Sequence, residues 1–242
     1  MLDLQQHNVV LYYRKRGVVM KEYLYDMHVH TEESSSCAHV PAKDVVERYK
    51  KLGYDGIVIT DHMSQYKMKR AKCESIEEKA EYFLRGYREA KKYEDNDFNV
   101  ILGMELSFLD YDGDFLVYGI DEDFVLKYHF DLFHSLEDFR DIADENNLFV
   151  FQAHPFRFDM AIQNPGLLDG MEVYNGHPGH NSNNDIAEIW ASKYGLRKSS
   201  GSDFHGDKGD MPPGGIYFGR RITDSKELKA ALEAGNYRLK TE

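Results

Sequence analysis

Apolar residues recur along this chain in two rhythms. Unbroken runs at Gly56-Ile57-Val58-Ile59-Thr60, Val100-Ile101-Leu102-Gly103-Met104, Phe149-Val150-Phe151-Gln152-Ala153 and Gly170-Met171-Glu172-Val173-Tyr174 read as buried strands; such continuity marks strands covered on both faces. Between them the spacing becomes helical. Val45, Val46, Tyr49 and Leu52 form one stripe, opened at Pro41 and stopped by Gly53. Ile76, Ala80, Phe83, Leu84, Tyr87 and Ala90 form a second, behind a Ser75/Glu78 capping box. Leu136, Phe139, Ile142 and Ala143 follow Ser135, and Ile186, Ile189, Trp190 and Tyr194 run up to Gly195. Strands are predicted at 23–30, 115–120, 198–201 and 216–218, and a last helix over 225–235. The turn signal Asp112-Gly113 is short enough to make the strand at 115–120 half of a hairpin.

The polar residues at the strand ends give this pattern chemical content. The first strand runs Tyr25-Asp26-Met27-His28-Val29-His30-Thr31. Alternate side chains of a strand share a face, so His28 and His30 point the same way, about 6–7 Å apart along the backbone. Two imidazoles so placed form a chelate for zinc, iron or manganese, although one such pair is a weak signal. The seven strands end, in order, at His30, His62, Glu105, Asp121, His154, Asn175 and Asp203/His205. In an α/β barrel the C-terminal strand ends converge on one face, where an active site forms. The array therefore predicts a metal centre on a barrel of seven strands.

Composition narrows the class. The 242 residues suffice for one core, predicted over 22–242, with 1–21 as a peripheral arm. The charge of −12, from 42 acids and 30 bases, argues against sequence-independent binding of long nucleic acid. Two cysteines, Cys37 and Cys73, make no disulfide framework and fit a reducing cytoplasm. No run is apolar enough for a bilayer, and in the arm Val9-Val10-Leu11 precedes Arg14-Lys15-Arg16, the reverse of a signal peptide. A soluble cytoplasmic protein without membrane contact is expected.

The set His28-x-His30-Thr31, Thr60-Asp61-His62, Gly103-x-Glu105, Ala153-His154-Pro155 and Gly201-Ser202-Asp203-x-His205 resembles the motifs of the polymerase and histidinol phosphatase (PHP) superfamily, from about residue 23 to the end. The resemblance implies a distorted seven-stranded, TIM-like (β/α) barrel, two or three divalent metal ions (zinc, iron or manganese), and hydrolysis of phosphoesters. By the same resemblance His28, His30, Glu105 and Asp203 bind one metal. Glu105 bridges to a second, also held by His154, and His62 and His205 belong to a third. The third site takes one more ligand from the loop after the first strand, for which His39 is the choice and Cys37 the competitor. The family's further second-site histidine is replaced here by Asp121 or Asp114, with His129 and His134 read as surface residues.

Paired divalent metals acidify a shared water to hydroxide and stabilise the leaving oxygen, so no protein nucleophile is needed. Asp61, beside His62, is the candidate to orient an imidazole or shuttle a proton. Arg157 and His177, just past two strand ends, are the candidate substrate contacts; an arginine grips phosphate bidentately. Lys67, Lys69, Arg70 and Lys72 follow the second strand as an anion-attracting loop or a solvated one. The expected activity is a metal-dependent phosphoesterase for a small phosphorylated metabolite or nucleotide. An exonuclease trimming short oligonucleotides and a non-catalytic metal-binding barrel are the alternatives.

Overall fold

The computed structural model describes residues 12–15, 18–108, 113–128, 134–206 and 214–242, with residues 12–15 and 18–20 described by backbone alone. The only described part of the arm is a hairpin of β1 (Tyr12–Lys15) and β2 (Val18–Lys21). Then follow β3 (Tyr23–Val29), α1 (Ala42–Lys51), β4 (Gly56–Ile59), β5 (His62–Ser64), α2 (Gln65–Arg70), α3 (Ile76–Lys91), β6 (Asn99–Leu102), β7 (Met104–Ser107) and β8 (Asp114–Tyr118). The remainder is α4 (Glu122–Lys127), α5 (Leu136–Glu145), β9 (Phe149–Gln152), β10 (Gly170–Asn175), α6 (Asn184–Tyr194), β11 (Arg197–Gly201), β12 (Ile216–Phe218), α7 (Ser225–Ala234) and β13 (Tyr237–Leu239). The predicted caps form: Ser75 and Glu78 make the capping box of α3, and Ser135 accepts from the amide of Asp138. The cationic stretch after His62, read as a loop, contains the helix α2, capped by Ser64.

The strands form two sheets, in the orders β11-β10-β9-β8-β7-β5 and β13-β12-β3-β4-β6. A distorted seven-stranded, TIM-like barrel was expected; among the described residues no closed ladder forms, because two neighbouring strands break at the same level. Thr60 and Asp61 separate β4 from β5, and Gly103 separates β6 from β7, so each continues from one sheet into the other. Backbone bonds cross the break, Gly103 N to Ile59 O at 2.9 Å and Glu105 N to Asp61 O at 3.2 Å. The sheets meet again beside β3, where Asp203 N donates to His28 O (2.9 Å) and His30 N to Phe204 O (3.1 Å). The expected antiparallel pairing forms, β8 running against both β7 and β9, while Asp112 of the predicted turn lies outside the described residues.

Packing explains how an apolar interior gives way to a polar mouth. Tyr25 and Met27 of β3 pack with Val58, Ile101, Leu116 and Phe151. Val29 packs instead with Val45, Val46 and Tyr49 of α1. Between them the pairing of β3 with β4 shifts register, Asp26 opposing Ile57 and Val29 opposing Ile59. One extra residue in a strand is a β-bulge, which re-aims the side chains beyond it. The bulge reverses which alternate residues face inward, so His28 and His30 continue the face that Tyr25 and Met27 began. Among the described residues, no helix is long and apolar enough to cross a membrane.

Helix α3 closes on the loop after β3 through a contact that only glycine permits. Ser34 Oγ donates to Tyr82 O and accepts from Gly86 N, each at 2.8 Å. The hydroxyl thus stands between the amide and carbonyl that an uninterrupted helix would bond directly. A Cβ on Gly86 would lie 2.0 Å from Thr31 Oγ1 and 2.3 Å from Asp61 Oδ2. Gly86→Ala should therefore lower unfolding stability by about 1–3 kcal/mol through overpacking, despite alanine's helix preference of about 1 kcal/mol. Urea denaturation measures it; an unchanged or raised midpoint would show that α3 can retreat from the turn.

Candidate metal centre

The strand ends bring seven chemistry-bearing side chains together. His28 Nε2 and His30 Nε2 are 3.0 Å apart. Glu105 stands against four imidazoles: Oε1 lies 3.4 Å from His28 Nε2 and 3.1 Å from His154 Nε2, and Oε2 lies 3.3 Å from His30 Nε2 and 2.8 Å from His62 Nδ1. Asp203 Oδ1 faces His28, His30 and His205 at 3.3–3.4 Å. Three overlapping donor groups result, His28/His30/Asp203, His28/Glu105/His154 and His30/His62/His205, each with its ligand atoms within 4.8 Å of one another. His28, His30, Glu105, His154 and Asp203 are each at most 1% exposed.

Groups behind the cluster set its orientation. Glu172 Oε1 accepts from His28 Nδ1 at 2.9 Å, and its Oε2 from His154 N and Asn175 Nδ2, both at 2.9 Å. Asp26 accepts from the amides of His28 and Ser202 (3.1 and 3.0 Å) and from Tyr49 OH (2.9 Å). Ser35 Oγ stands 3.3 Å from His30 Nδ1 and donates to Asp61 at 2.7 Å. A carboxylate or hydroxyl on Nδ1 leaves Nε2 free as the ligating nitrogen, the usual support for metal-binding histidines. The backbone is strained at two of the cluster residues, His154 (φ 25°) and Asp203 (φ 53°), both in the left-handed region; such strain persists where the surroundings over-determine it and concentrates at functional sites.

The electrostatics call for positive charge at the centre. Burial lowers the pKa of His28, but Asp203, Glu172 and Glu105 outweigh it and hold the imidazole well above its usual value. Burial lowers His62 and His205 likewise, and Glu105 and Asp203 respectively bring them up to about 9 and about 10. His30 moves down, through burial and the neighbouring His205 and His62. Burial raises Glu105 and Asp203, yet the surrounding imidazoles hold both well below the usual carboxylate range. Among the buried side-chain polar atoms of the described residues, Glu105 Oε2 makes no hydrogen bond of good geometry, although two imidazole nitrogens lie within 3.3 Å of it. Buried polar groups are nearly always paired, so a lone pair so placed in a nitrogen- and oxygen-rich cluster fits bound divalent metal.

The cluster opens into a cavity of about 220 Å³ walled by Cys37, Asp114, Arg157, His177 and His180. A larger cavity of about 570 Å³ lies between α2, α3 and α4 and contains none of the cluster residues.

Of the predicted residues, His28, His30, His62, Glu105, His154, Asp203 and His205 converge. His39 does not: it is exposed, tied by its amide to His205 O at 2.9 Å, while Cys37, two residues earlier, faces the cavity. Asp61 is 1% exposed and its oxygens accept from Thr31 N, Thr31 Oγ1 and Ser35 Oγ, so it stands behind His30, where the expected orienting part is the one its contacts fit. Asp121 caps α4 through Phe124 N (3.0 Å), at the far end of β8. The antiparallel course of β8 instead puts its first residue, Asp114, at the mouth, 3.9 Å from His154 Nε2. Arg157 Nη2 donates to Asp203 Oδ2 (2.5 Å) and Asn175 Oδ1 (3.2 Å), and its place at the cavity agrees with the expected one. His177 lines the same mouth, its Nδ1 accepting from Gly179 N at 3.0 Å. His134 is exposed, and His129 falls outside the described residues. His180, in the loop after the sixth predicted strand with His177, lines the mouth as well, while Glu172 was missed by sequence reasoning. A lone acid inside the apolar run Gly170 to Tyr174 was the available sign of Glu172, since buried charges are kept only when paired.

With this geometry in view, comparison with known proteins is informative. The chain belongs to the PHP domain family, whose sequence profile matches residues 26–202. No curated protein matches it. In fold it is similar to a two-domain protein of Bacteroides vulgatus described as containing a predicted PHP-like metal-dependent phosphoesterase (TM-score 0.64, 17% identity, 98% of this chain and 69% of that one). It is also similar to PsfC of Pseudomonas syringae (TM-score 0.61, 15% identity, 87% and 88%). At such identities the likeness establishes the shared fold.

Replacing the carboxylate behind His28 tests the centre. Glu172→Gln keeps the shape but weakens the support of His28, and loss of such a partner typically costs 10–100-fold in metal affinity. Competition with a chromogenic chelator should show at least a tenfold drop; unchanged affinity would remove Glu172 from the site.

Proposed function

We propose that this chain is a metal-dependent phosphoesterase that hydrolyses a small phosphorylated metabolite or nucleotide. The observation that carries the reading is Glu105, a buried carboxylate held against four imidazoles and flanked by Asp203, at the floor of an open cavity. His28, His30, Glu105 and Asp203 would hold one divalent ion, Glu105 and His154 with Asp114 a second, and His62 and His205 a third; zinc, iron and manganese suit these donors. Bound there, such ions supply an acidified water and polarise phosphoryl oxygens. The seven strand positions β3, β4/β5, β6/β7, β8, β9, β10 and β11 then make an interrupted barrel, supported by the backbone bonds that link His28 and His30 to Asp203 and Phe204.

The remaining roles fall to residues at the mouth. Arg157 brings a guanidinium cation to the cavity wall, a group suited to phosphoryl oxygens. His177 and His180, ring centroids 4.8 Å apart, offer imidazole nitrogens on the same side to the leaving oxygen. Burial and the nearby Arg157 lower the pKa of His180, which favours its neutral form. A cavity of about 220 Å³ that opens to solvent accommodates a phosphoryl group with room for a small leaving group. The charge of −12 favours a small substrate over a long polyanion.

Full-length protein stripped with chelator should lose hydrolysis of an aryl phosphate and of its best phosphorylated metabolite, and regain it with Mn, Fe or Zn. Arg157→Ala should raise KM about tenfold or more, since a hydrogen bond to a charged group is worth roughly 1.5–3 kcal/mol; metal content is measured alongside because Arg157 also bonds Asp203. Metal-loaded protein inert toward every phosphoester in a broad panel would sink the reading.

A further inference from the structure

The loop after β3 carries a soft donor into a site otherwise built of imidazole and carboxylate. Its path is closely determined. Ser35 N bonds Thr31 O and Ala38 N bonds Ser35 O, each at 2.9 Å, and Asp61 holds Thr31 and Ser35 by their side chains. Beyond Cys37, His39 N bonds His205 O at 2.9 Å. Pinned on both sides, the half-buried Cys37 thiol contacts His62 and His205 together and shares their cavity wall. Lys67 Nζ, from α2, approaches its sulfur to 3.2 Å.

The donors on this side leave an opening for one more ligand. His30 is the third member of the group with His62 and His205, but it also belongs to the group with His28 and Asp203. Two imidazoles remain for an ion on this side, and neither brings charge. Glu105 Oε2, buried and in no hydrogen bond of good geometry, presents a lone pair on the same side, 2.8 Å from His62 Nδ1. His39, the other candidate in the loop, is exposed.

Resting on the metal-dependent reading of the site, we propose that Cys37 is a thiolate ligand, completing a His62/His205/Cys37 position with Glu105 as its shared carboxylate. A thiolate gives this position a preference that the others lack: soft sulfur selects Zn, Fe(II) or Co(II) over Mn and Mg. Lys67 then has a defined part. Its ammonium donates to the sulfur, and hydrogen bonds of this kind from beyond the ligands tune a metal site. Helix α2 is therefore tied to the metal centre by that one side chain.

The test uses the full chain, stripped and reloaded with Co(II). Wild type and Cys73→Ser should show a thiolate-to-cobalt charge-transfer band in the near ultraviolet, and Cys37→Ser should lose it and bind one Zn per chain at least tenfold more weakly. In the Cys73→Ser protein, where Cys37 is the single thiol, Zn should block reaction with a dithiobis(nitrobenzoate) reagent and chelator should restore it. A band that persists in Cys37→Ser overturns the proposal. So does a Cys37 thiol that stays fully reactive with Zn bound, a measurement that leaves Cys37 in place and does not depend on the serine variant folding. Neither readout uses turnover. A chain that binds cobalt through sulfur yet hydrolyses no phosphoester would remove the phosphoesterase reading and keep this one.

Discussion

Glu105 is a carboxylate with almost no access to water, surrounded by four imidazoles. Burying an isolated charge is prohibitively costly, so such a group persists only with compensating charge and hydrogen bonds. Much of the surrounding structure meets that demand. His28, His62 and His205 are pushed toward their charged forms, Glu105 and Asp203 are held ionised, and Arg157 closes on Asp203 from the mouth. A divalent ion meets the same demand more directly, because it carries two charges and takes lone pairs from nitrogen and oxygen together.

A second ring of polar residues keeps the first in place. Glu172 holds His28 and the amide of His154, Asp26 ties β3 to Ser202 and to Tyr49 of α1, and Asp61 gathers the turn after His30. These three carboxylates are buried, and each accepts at least three hydrogen bonds. They connect the clustered side chains to α1, β10 and the turn after β3, so the packing of the elements and the geometry of the centre are one problem. The Ser34 hydroxyl inserted into α3 at Gly86 shows how closely the two are joined.

Chain direction decides which acid reaches the centre. Had β8 run parallel to its neighbours, Asp121 would stand at the mouth. As the return strand of a hairpin it presents Asp114 there and leaves Asp121 to cap α4. Backbone path likewise separates Cys37 from His39: one lines the cavity with His62 and His205, and the other is exposed, its amide bonded to His205 O. Both choices depend on the path of the backbone, and side-chain chemistry by itself could not make them.

Much of the centre was legible in the residues. Strand alternation put His28 and His30 on one face, and apolar runs ending in His62, Glu105, His154 and Asp203 located the side chains that converge, because period-two patterning is local and buried strands are continuous. The helix caps and the hairpin signal were local too, and the caps and the antiparallel pairing formed. What only the tertiary structure decided is non-local: two interrupted sheets, the bulge that lets His28 and His30 inherit the interior face, Cys37 turned to the cavity and His39 turned out, Asp61 as a brace, and Glu172 behind His28. Each of these depends on which segment lies against which across more than a dozen residues, and a charged or polar side chain carries no record of its partner until the chain has closed around it.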